Sequence, residues 1–478
     1  MNRFLLAVAM IFGVSVSALA LPGSAAPREH RPTRLHASIS LRPPTLAVQR
    51  RSSRDAPGYV FVASKGGATQ GTEIFDDRGR PVWFKPVGGG DEADDFRVQS
   101  YQGAPVLTWW QGTGFGQLSQ GTDYIADGSY NVIAMVHAGN GLQADGHEFQ
   151  LTPQGTALIT AYHAVPYDLS LVGGPADGQA IDCVVQEIDI ASGQVLFEWH
   201  SLGHVPLTDS YEPIDSPYDY FHLNSVSLDN DGNLLISGRH TWTIYKVDRH
   251  SGQVIWRLGG KHSDFSMPAN AAFAWQHNAL AAGANTIRIF DNERNDAGQV
   301  MPQSLVIWLQ LSLATMSATL ARAIAHPNGW SANSQGNAQG LDNGDTFVGW
   351  GDSGRLSEFD QQNGLLFDAL LPGAQTYRAY RFAWSAQPPT KPIATGRHHG
   401  RGKKRKSTIH AIWNGATSVV RWRILAGRSA KHLKAVRTVS WNGLDTQATI
   451  PGTPREVAVV ALDRGGHVVG RSKPTRVH

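Results

Sequence analysis

The chain is almost devoid of cysteine. Cys183 is the only one in 478 residues, so no disulfide forms within the chain, and a large core must supply what covalent staples give smaller exported domains. It stands in the apolar run "IDCVVQEIDI", where a buried, inert thiol is expected and cysteine catalysis is not. Long amphipathic helical patterns are nearly missing as well, which argues against a helical bundle or an α/β fold. After the N-terminal stretch, no apolar run reaches the ~20 residues that a membrane span needs. There is no Gly-rich phosphate loop, so nothing points to a nucleotide donor. Acidic charge is missing from one place only: "KPIATGRHHGRGKKRK" (391–406) holds seven Lys or Arg and no acid, although the whole chain carries only +3. The remainder is therefore net acidic, which excludes a basic nucleic-acid binder. The basic stretch reads as a solvated tether, or alternatively as an electrostatic hold on an anionic surface polymer outside the cell.

What is present begins with residues 1–26. One early charge (Arg3), an apolar run to about Leu21 and the small-residue sites Ala18-Leu-Ala20 and Ser24-Ala-Ala26 form the pattern of a secretory signal peptide. An uncleaved anchor is the competing reading. The expectation is a secreted, extracellular protein with no membrane span after cleavage.

Glycine (51) and tryptophan (14) are abundant, and short β-type runs alternate with Gly, Asp and Asn turns, the pattern of an all-β chain. One element recurs in "FDDRGRPVWF" (75–84), "IDIASGQVLFEW" (188–199), "VDRHSGQVIWRL" (247–258) and "FDQQNGLLFDAL" (359–370). A second recurs in "LTPQGTALIT" (151–160), "LDNDGNLLIS" (228–237) and "LDNGDTFVGW" (341–350). Two alternating hairpins give roughly four strands per unit, and residues 57–385 hold about six such units, the arrangement of a six-bladed β-propeller. "VIWLQLSLATMSATLARAI" (306–324), which could pass for a helix, reads as a hairpin within it. Residues 27–56 are expected to be an N-terminal extended segment and 386–408 a basic Pro/Gly-rich linker. Residues 409–478 are expected to be a small immunoglobulin- or fibronectin-like β-sandwich with no catalytic cluster of its own.

In a propeller the first strand of each blade lines the central channel, so equivalent repeat positions converge on one axis. Four residues before Leu151, Leu228 and Leu341 stand His147, Asn224 and Asn337, while His277 lies three before Leu280. His222 is two before Asn224 and so shares its face of the strand. "DYFHLNS", "GRHTW", "IWRLGGK" and "FAWQHNAL" thus offer His222, His240 and His277 with the cations Arg239, Arg257 and Lys261. Three neutral imidazoles can bind a metal, but cations beside one are unfavourable and no orienting acids are evident in the sequence. Imidazoles with guanidinium groups suit a tetrahedral oxyanion better. No metal and no cofactor are expected.

"GYVFVASK", "DFRVQSYQGAPVLTWWQG", the long run from "DYFHLNS" to "GGKHSDF", "FAWQHNAL" and "SQGNAQGLDNGDTFVGWG" together resemble the bacterial arylsulfotransferase family from about residue 57 to 384. The resemblance implies a six-bladed propeller that moves a sulfuryl group from an aryl sulfate to a phenol through a sulfohistidine. It also implies that His277 is the sulfated residue, that His222 and His240 are further active-site histidines, and that Arg257 is the nearest match to the sulfate-binding arginine. His147, Asn224 and Arg239 come from the repeat register and the motif cluster. Trp109 and Trp110 in "LTWWQG" are candidates to stack an aryl ring, with a core role as the alternative. The single cysteine departs from relatives that carry a disulfide, which implies a divergent branch. Two other classes compete: a non-catalytic secreted propeller binding an extracellular anion or glycan, and a quinoprotein-like dehydrogenase.

Overall fold

The computed structural model describes residues 41–114, 119–292 and 304–478. The signal-peptide reading of residues 1–26 and the first part of segment 27–56 lie outside them. The described residues form an all-β protein of antiparallel sheets, broken only by single-turn 3-10 helices. Among them no helix is long and apolar enough to cross a membrane.

Asp- and Gly-closed turns set the strand rhythm. In "FDDRGRP" the Asp76 carboxylate accepts the amides of Arg78 and Arg80, and Gly79 adopts φ 73°. There a Cβ would sit 2.1 Å from the Leu46 carbonyl oxygen, so only glycine closes the turn against the incoming chain. Turns of this kind link strands into meanders such as Leu223–Leu228, Leu234–Gly238, Thr243–Val247 and Val254–Gly259. The next meander contains His277–Ala281, Thr286–Asp291, Leu305–Ser312 and Ser317–Ala325. The ambiguous run 306–324 is therefore a hairpin, as the repeat predicts.

The strands Glu92–Tyr101, Ala144–Leu151, Leu223–Leu228, His277–Ala281, Asn337–Gly340 and Gln375–Phe382 touch one another in sequence, and the last touches the first. Gln375–Phe382 also pairs with Tyr59–Lys65, so the end of this region closes onto its beginning. Side chains stitch the cycle: the Asn224 amide donates to the Gln276 carbonyl at 2.7 Å, and Asn337 exchanges two 2.9 Å bonds with the Ala379 backbone. Apolar clusters fill the spaces between neighbouring sheets, as in the contact of Leu235, Ile244 and Leu258 with Ala279, Ile287 and Ile289. Trp109 and Trp110 belong to such clusters and are fully buried. Trp110 gives its indole N–H to the Ala144 carbonyl, so neither presents a ring face to a ligand.

Two boundaries shift. Ala47–Arg51, expected to be part of an extended leader, pairs with Leu365–Leu370 as the fifth strand of a sheet. The basic stretch expected to be a linker instead forms strand Ile393–His399, paired with Lys406–Ile412. Most of the charge lies outside the paired residues: Arg401, Lys404 and Arg405 stand in the connection, and within the strand Ala394 is buried while Arg397 and His399 face water, so the positive charge does not oppose strand pairing. Two sheets of this C-terminal part enclose a core around Ile409, Trp422, Ile424 and Val459. It packs on strand Pro81–Pro86, where Asn414 exchanges 2.9 Å bonds with the Phe84 backbone.

Candidate active site

The cycle of first strands carries His147 and His277 to one place, where His222, just ahead of Leu223–Leu228, and His240, in the turn after Leu234–Gly238, join them. His277 opens strand His277–Ala281 and is almost wholly buried. Its Nδ1 lies 2.8 Å from Asn292 Oδ1. The Asn292 amide nitrogen donates to the Ala332 and Gln335 carbonyls, which fixes its oxygen as an acceptor. His277 therefore carries its proton on Nδ1 and its lone pair on Nε2, and the Gln335 amide reaches Nε2 at 3.1 Å. Burial, with the nearby Arg239 charge, holds this imidazole well below its usual titration range. It is neutral at pH 7.

Three more imidazoles are oriented through Nδ1. His222 Nδ1 donates to Asp219 Oδ2 at 2.6 Å and His147 Nδ1 to Asp145 Oδ2 at 2.5 Å. His240 Nδ1 donates to the Asp219 carbonyl at 2.5 Å. Ring centroids of His147 and His222 are 5.1 Å apart, and those of His222 and His240 are 4.5 Å apart. The Tyr377 ring stands 5.6 Å from His147 and 6.3 Å from His277, which ties the fourth imidazole to the other three. Burial lowers His222 despite the opposing Asp219 charge, and pushes His240 down to about 3. Burial acts to raise Asp219, but the facing His222 charge and hydrogen bond outweigh it and keep the group a carboxylate.

Arg239 supplies the cation. Its Nη1 donates to His240 Nε2 at 2.9 Å, its Nη2 to the Asn333 carbonyl, and its guanidinium lies 4.6 Å above the Trp275 ring. Arg257 is not brought to this place. It sits on the outermost strand of its sheet with Nη1 3.9 Å from Asp264 Oδ2, because the "SGQVIWRL" element forms the outer hairpin of its meander. Asn224 lies beside the cluster with its amide on Gln276 and its carbonyl receiving the Tyr377 hydroxyl, so it holds the wall. Lys261 bonds the Thr208 and Ser210 carbonyls and covers the Tyr211 ring at 4.7 Å.

Sequence reasoning missed Asp145, Asp219 and Asn292, although Asp145 and Asp219 stand two and three residues before their histidines. It also missed an aromatic group: Tyr211 stacks on Trp242 at 3.6 Å, and Trp242 meets Trp275 at 5.6 Å. His222, Trp242, Trp275, Asn278 and Gln335 all have φ between 50° and 66°, a conformation costly for such residues and typical of sites where function overrides backbone preference.

Asp219, His222 and His240 have donor atoms within 4.8 Å of one another, a spacing that a cation could draw together. The Nδ1 atoms are already bonded to Asp219, however, and Arg239 places a positive charge on His240 Nε2. The set suits an anion better than a metal.

Chemically, this is an all-β protein that presents an unprotonated imidazole nitrogen, with its tautomer fixed, beside a guanidinium able to hold an oxyanion. The chain belongs to the arylsulfotransferase (ASST) family, whose model matches residues 97–371. No curated protein matches it. Among solved structures it is similar to a protein of unknown function from Bacteroides caccae, with 14% identity, 68% of this chain and 98% of that one covered, and a TM-score of 0.40. It is also similar to a catalytically inactive virginiamycin B lyase from Staphylococcus aureus, with 8% identity, 73% and 95% covered, and a TM-score of 0.36. Likeness of that degree identifies neither fold nor activity.

Proposed function

We propose that the protein is a secreted arylsulfate sulfotransferase that needs no nucleotide donor and works through a sulfohistidine at His277. The observation that carries this reading is the Asn292–His277 bond, which leaves Nε2 unprotonated. In the first half-reaction Nε2 attacks sulfur, the S–O bond to the aryl group breaks, and the phenolate leaves with the electron pair. In the second, His222 Nε2 takes the proton of an incoming phenol, whose oxygen attacks sulfur while the N–S bond breaks. Sulfuryl transfer resembles phosphoryl transfer in needing alignment and charge stabilisation above all, and Arg239 is the cation placed to hold the sulfuryl oxygens. Tyr211 and Trp242, both partly exposed, take the aryl-binding role first considered for Trp109 and Trp110, with the buried Trp275 behind Trp242. The closed cycle of six first strands supports a six-bladed propeller, and the two-sheet core after residue 392 supports a small accessory sandwich. The exposed basic hairpin is the surface for any anionic polymer outside the cell, and export rests on the pattern of residues 1–26.

One observation favours the competing reading of a non-catalytic anion-binding propeller: the Gln335 amide sits on the lone pair that must attack. Purified protein mixed with 4-nitrophenyl sulfate, with and without phenol, separates the two. Phenol-dependent release of nitrophenolate supports transfer, and no release from a range of aryl sulfates supports the binding reading.

Asn292→Ala is expected to lower kcat by about 10–100-fold, the usual cost of losing an outer partner that orients a functional imidazole. KM should change little, and steady-state kinetics would show the split. A pH effect follows from His222. Its value is lowered, so near pH 7 it is a base and the donor's phenolate departs unprotonated. As pH falls toward that lowered value, an acid form appears, and donors with poor leaving groups should gain relative to 4-nitrophenyl sulfate. A rate ratio for phenyl over 4-nitrophenyl sulfate that never rises as pH is taken below about 7 to the acid limit of folding would remove His222 from the acid role.

A further inference from the structure

We propose that Arg288 and Arg322 form a second oxyanion site, in the seam between the sheet that holds His277–Ala281 and the sheet that holds Asn337–Gly340. Arg288 pairs with Trp308 and Trp308 with Arg322 in adjacent strands, so the three side chains leave one face of the sheet in a row. Arg322 lies 4.6 Å over the Trp308 ring and reaches the neighbouring sheet's turn, with Nε on Asn363 Oδ1 and Nη2 on the Asp360 carbonyl. Arg288 also reaches across, because a Cβ on Gly340 would stand 2.8 Å from its Nη1.

Arg288 is a charge without partners. Among the described residues no carboxylate lies within 4.0 Å of it and its guanidinium donates no hydrogen bond, while its Nε is buried and unpaired. Burial and the neighbouring Arg322 charge push it down to about 10. The nearby acids are engaged elsewhere. Asp360 accepts the Gln362 and Gly364 amides and faces Arg54 at 3.6 Å, and Asp345 accepts the Asn343 amide. A guanidinium without an acceptor, under the repulsion of a second one in the same row, is unfavourable, and an anion bound between them removes the penalty. The planar fork of arginine selects paired oxygens, so the ligand class is a small oxyanion of the sulfate, phosphate or carboxylate type.

The site is independent of the histidine cluster, and its test uses the full chain with Arg239→Gln to weaken sulfate binding there. Calorimetric titration with sodium sulfate, against sodium chloride of matched ionic strength, is expected to give saturable binding in Arg239→Gln. Adding Arg288→Met should weaken it at least about 10-fold, the scale of one lost charge-assisted bond. In sulfate-free buffer Arg288→Met alone should raise the unfolding midpoint, since it removes an uncompensated charge. Arg322→Gln, on a more exposed side chain, gives the same binding comparison if Arg288→Met folds poorly. No saturable binding in Arg239→Gln, or binding unchanged by either arginine substitution, overturns the proposal. A midpoint lowered by Arg288→Met in a protein that still folds does so too.

Discussion

His277→Ala is expected to abolish sulfuryl transfer, by at least about 10⁴-fold, while the protein stays folded. The size of the loss follows from covalent catalysis, since no neighbouring group replaces a nitrogen held at the attack position. His222 and His240 are held neutral by burial, yet their Nδ1 atoms are tied to Asp219, as that of His147 is to Asp145, in positions suited to proton transfer or contact with the substrate. The folding expectation rests on what His277 touches. Its bonds run to the Asn292 side chain and the Gln335 amide, and alanine leaves Asn292 anchored by its two carbonyl acceptors. A loss of buried volume costs stability without undoing the sheet. The variant should show the wild-type circular dichroism spectrum and no release of nitrophenolate. Wild-type protein quenched during turnover should carry one added sulfuryl group on the peptide containing His277. Normal turnover by a folded His277→Ala protein would falsify the mechanism.

Which parts of this site the sequence disclosed follows from how repeats encode position. His147 and His222 were legible because first strands recur at fixed offsets from a leucine, and convergence on an axis is a property of the register. Arg239 and His240 stand together in one short motif, "GRHTW". Arg257 was a wrong placement, taken from resemblance against the register: it lies in the recurring "SGQV" element, which forms outer hairpins. Asn292 could not be found this way. It contacts His277 from 15 positions along the chain, just past the second strand of its sheet, where no periodic pattern marks it. The aromatic group was hidden for a related reason, since Tyr211 meets Trp242 only through the path of an irregular loop. The basic stretch was misread because its composition was averaged over the whole run: the charge is concentrated in the connection, residues 400–405, and the residues on either side pair as strands.

Arg378→Met should destabilise the fold by about 3–5 kcal/mol, the cost of leaving a buried charge without its partner. Arg378 is wholly buried, with Nη1 and Nη2 on the two oxygens of Glu148 at 2.9 and 2.8 Å and Nη1 also 3.2 Å from Asp95 Oδ1. Without it, Arg97 alone faces both carboxylates. In the native protein burial acts to raise Glu148, but the charges of Arg378 and Arg97 outweigh it and hold the group below its usual value. This depressed group contributes stability above the unfolded value, and that stability is lost as pH falls through the folded one. In Arg378→Met the sign reverses: burial dominates, Glu148 binds its proton more tightly when folded, and the deficit should shrink as pH falls through the raised value. Urea unfolding near pH 7 and near pH 5 would show the difference between variant and wild type narrowing at the lower pH. Glu148→Gln combined with Arg378→Met should recover part of the loss, because the two share one ion pair. A deficit independent of pH and unrelieved by Glu148→Gln would mean that lost packing, and not an uncompensated carboxylate, is what Arg378 prevents.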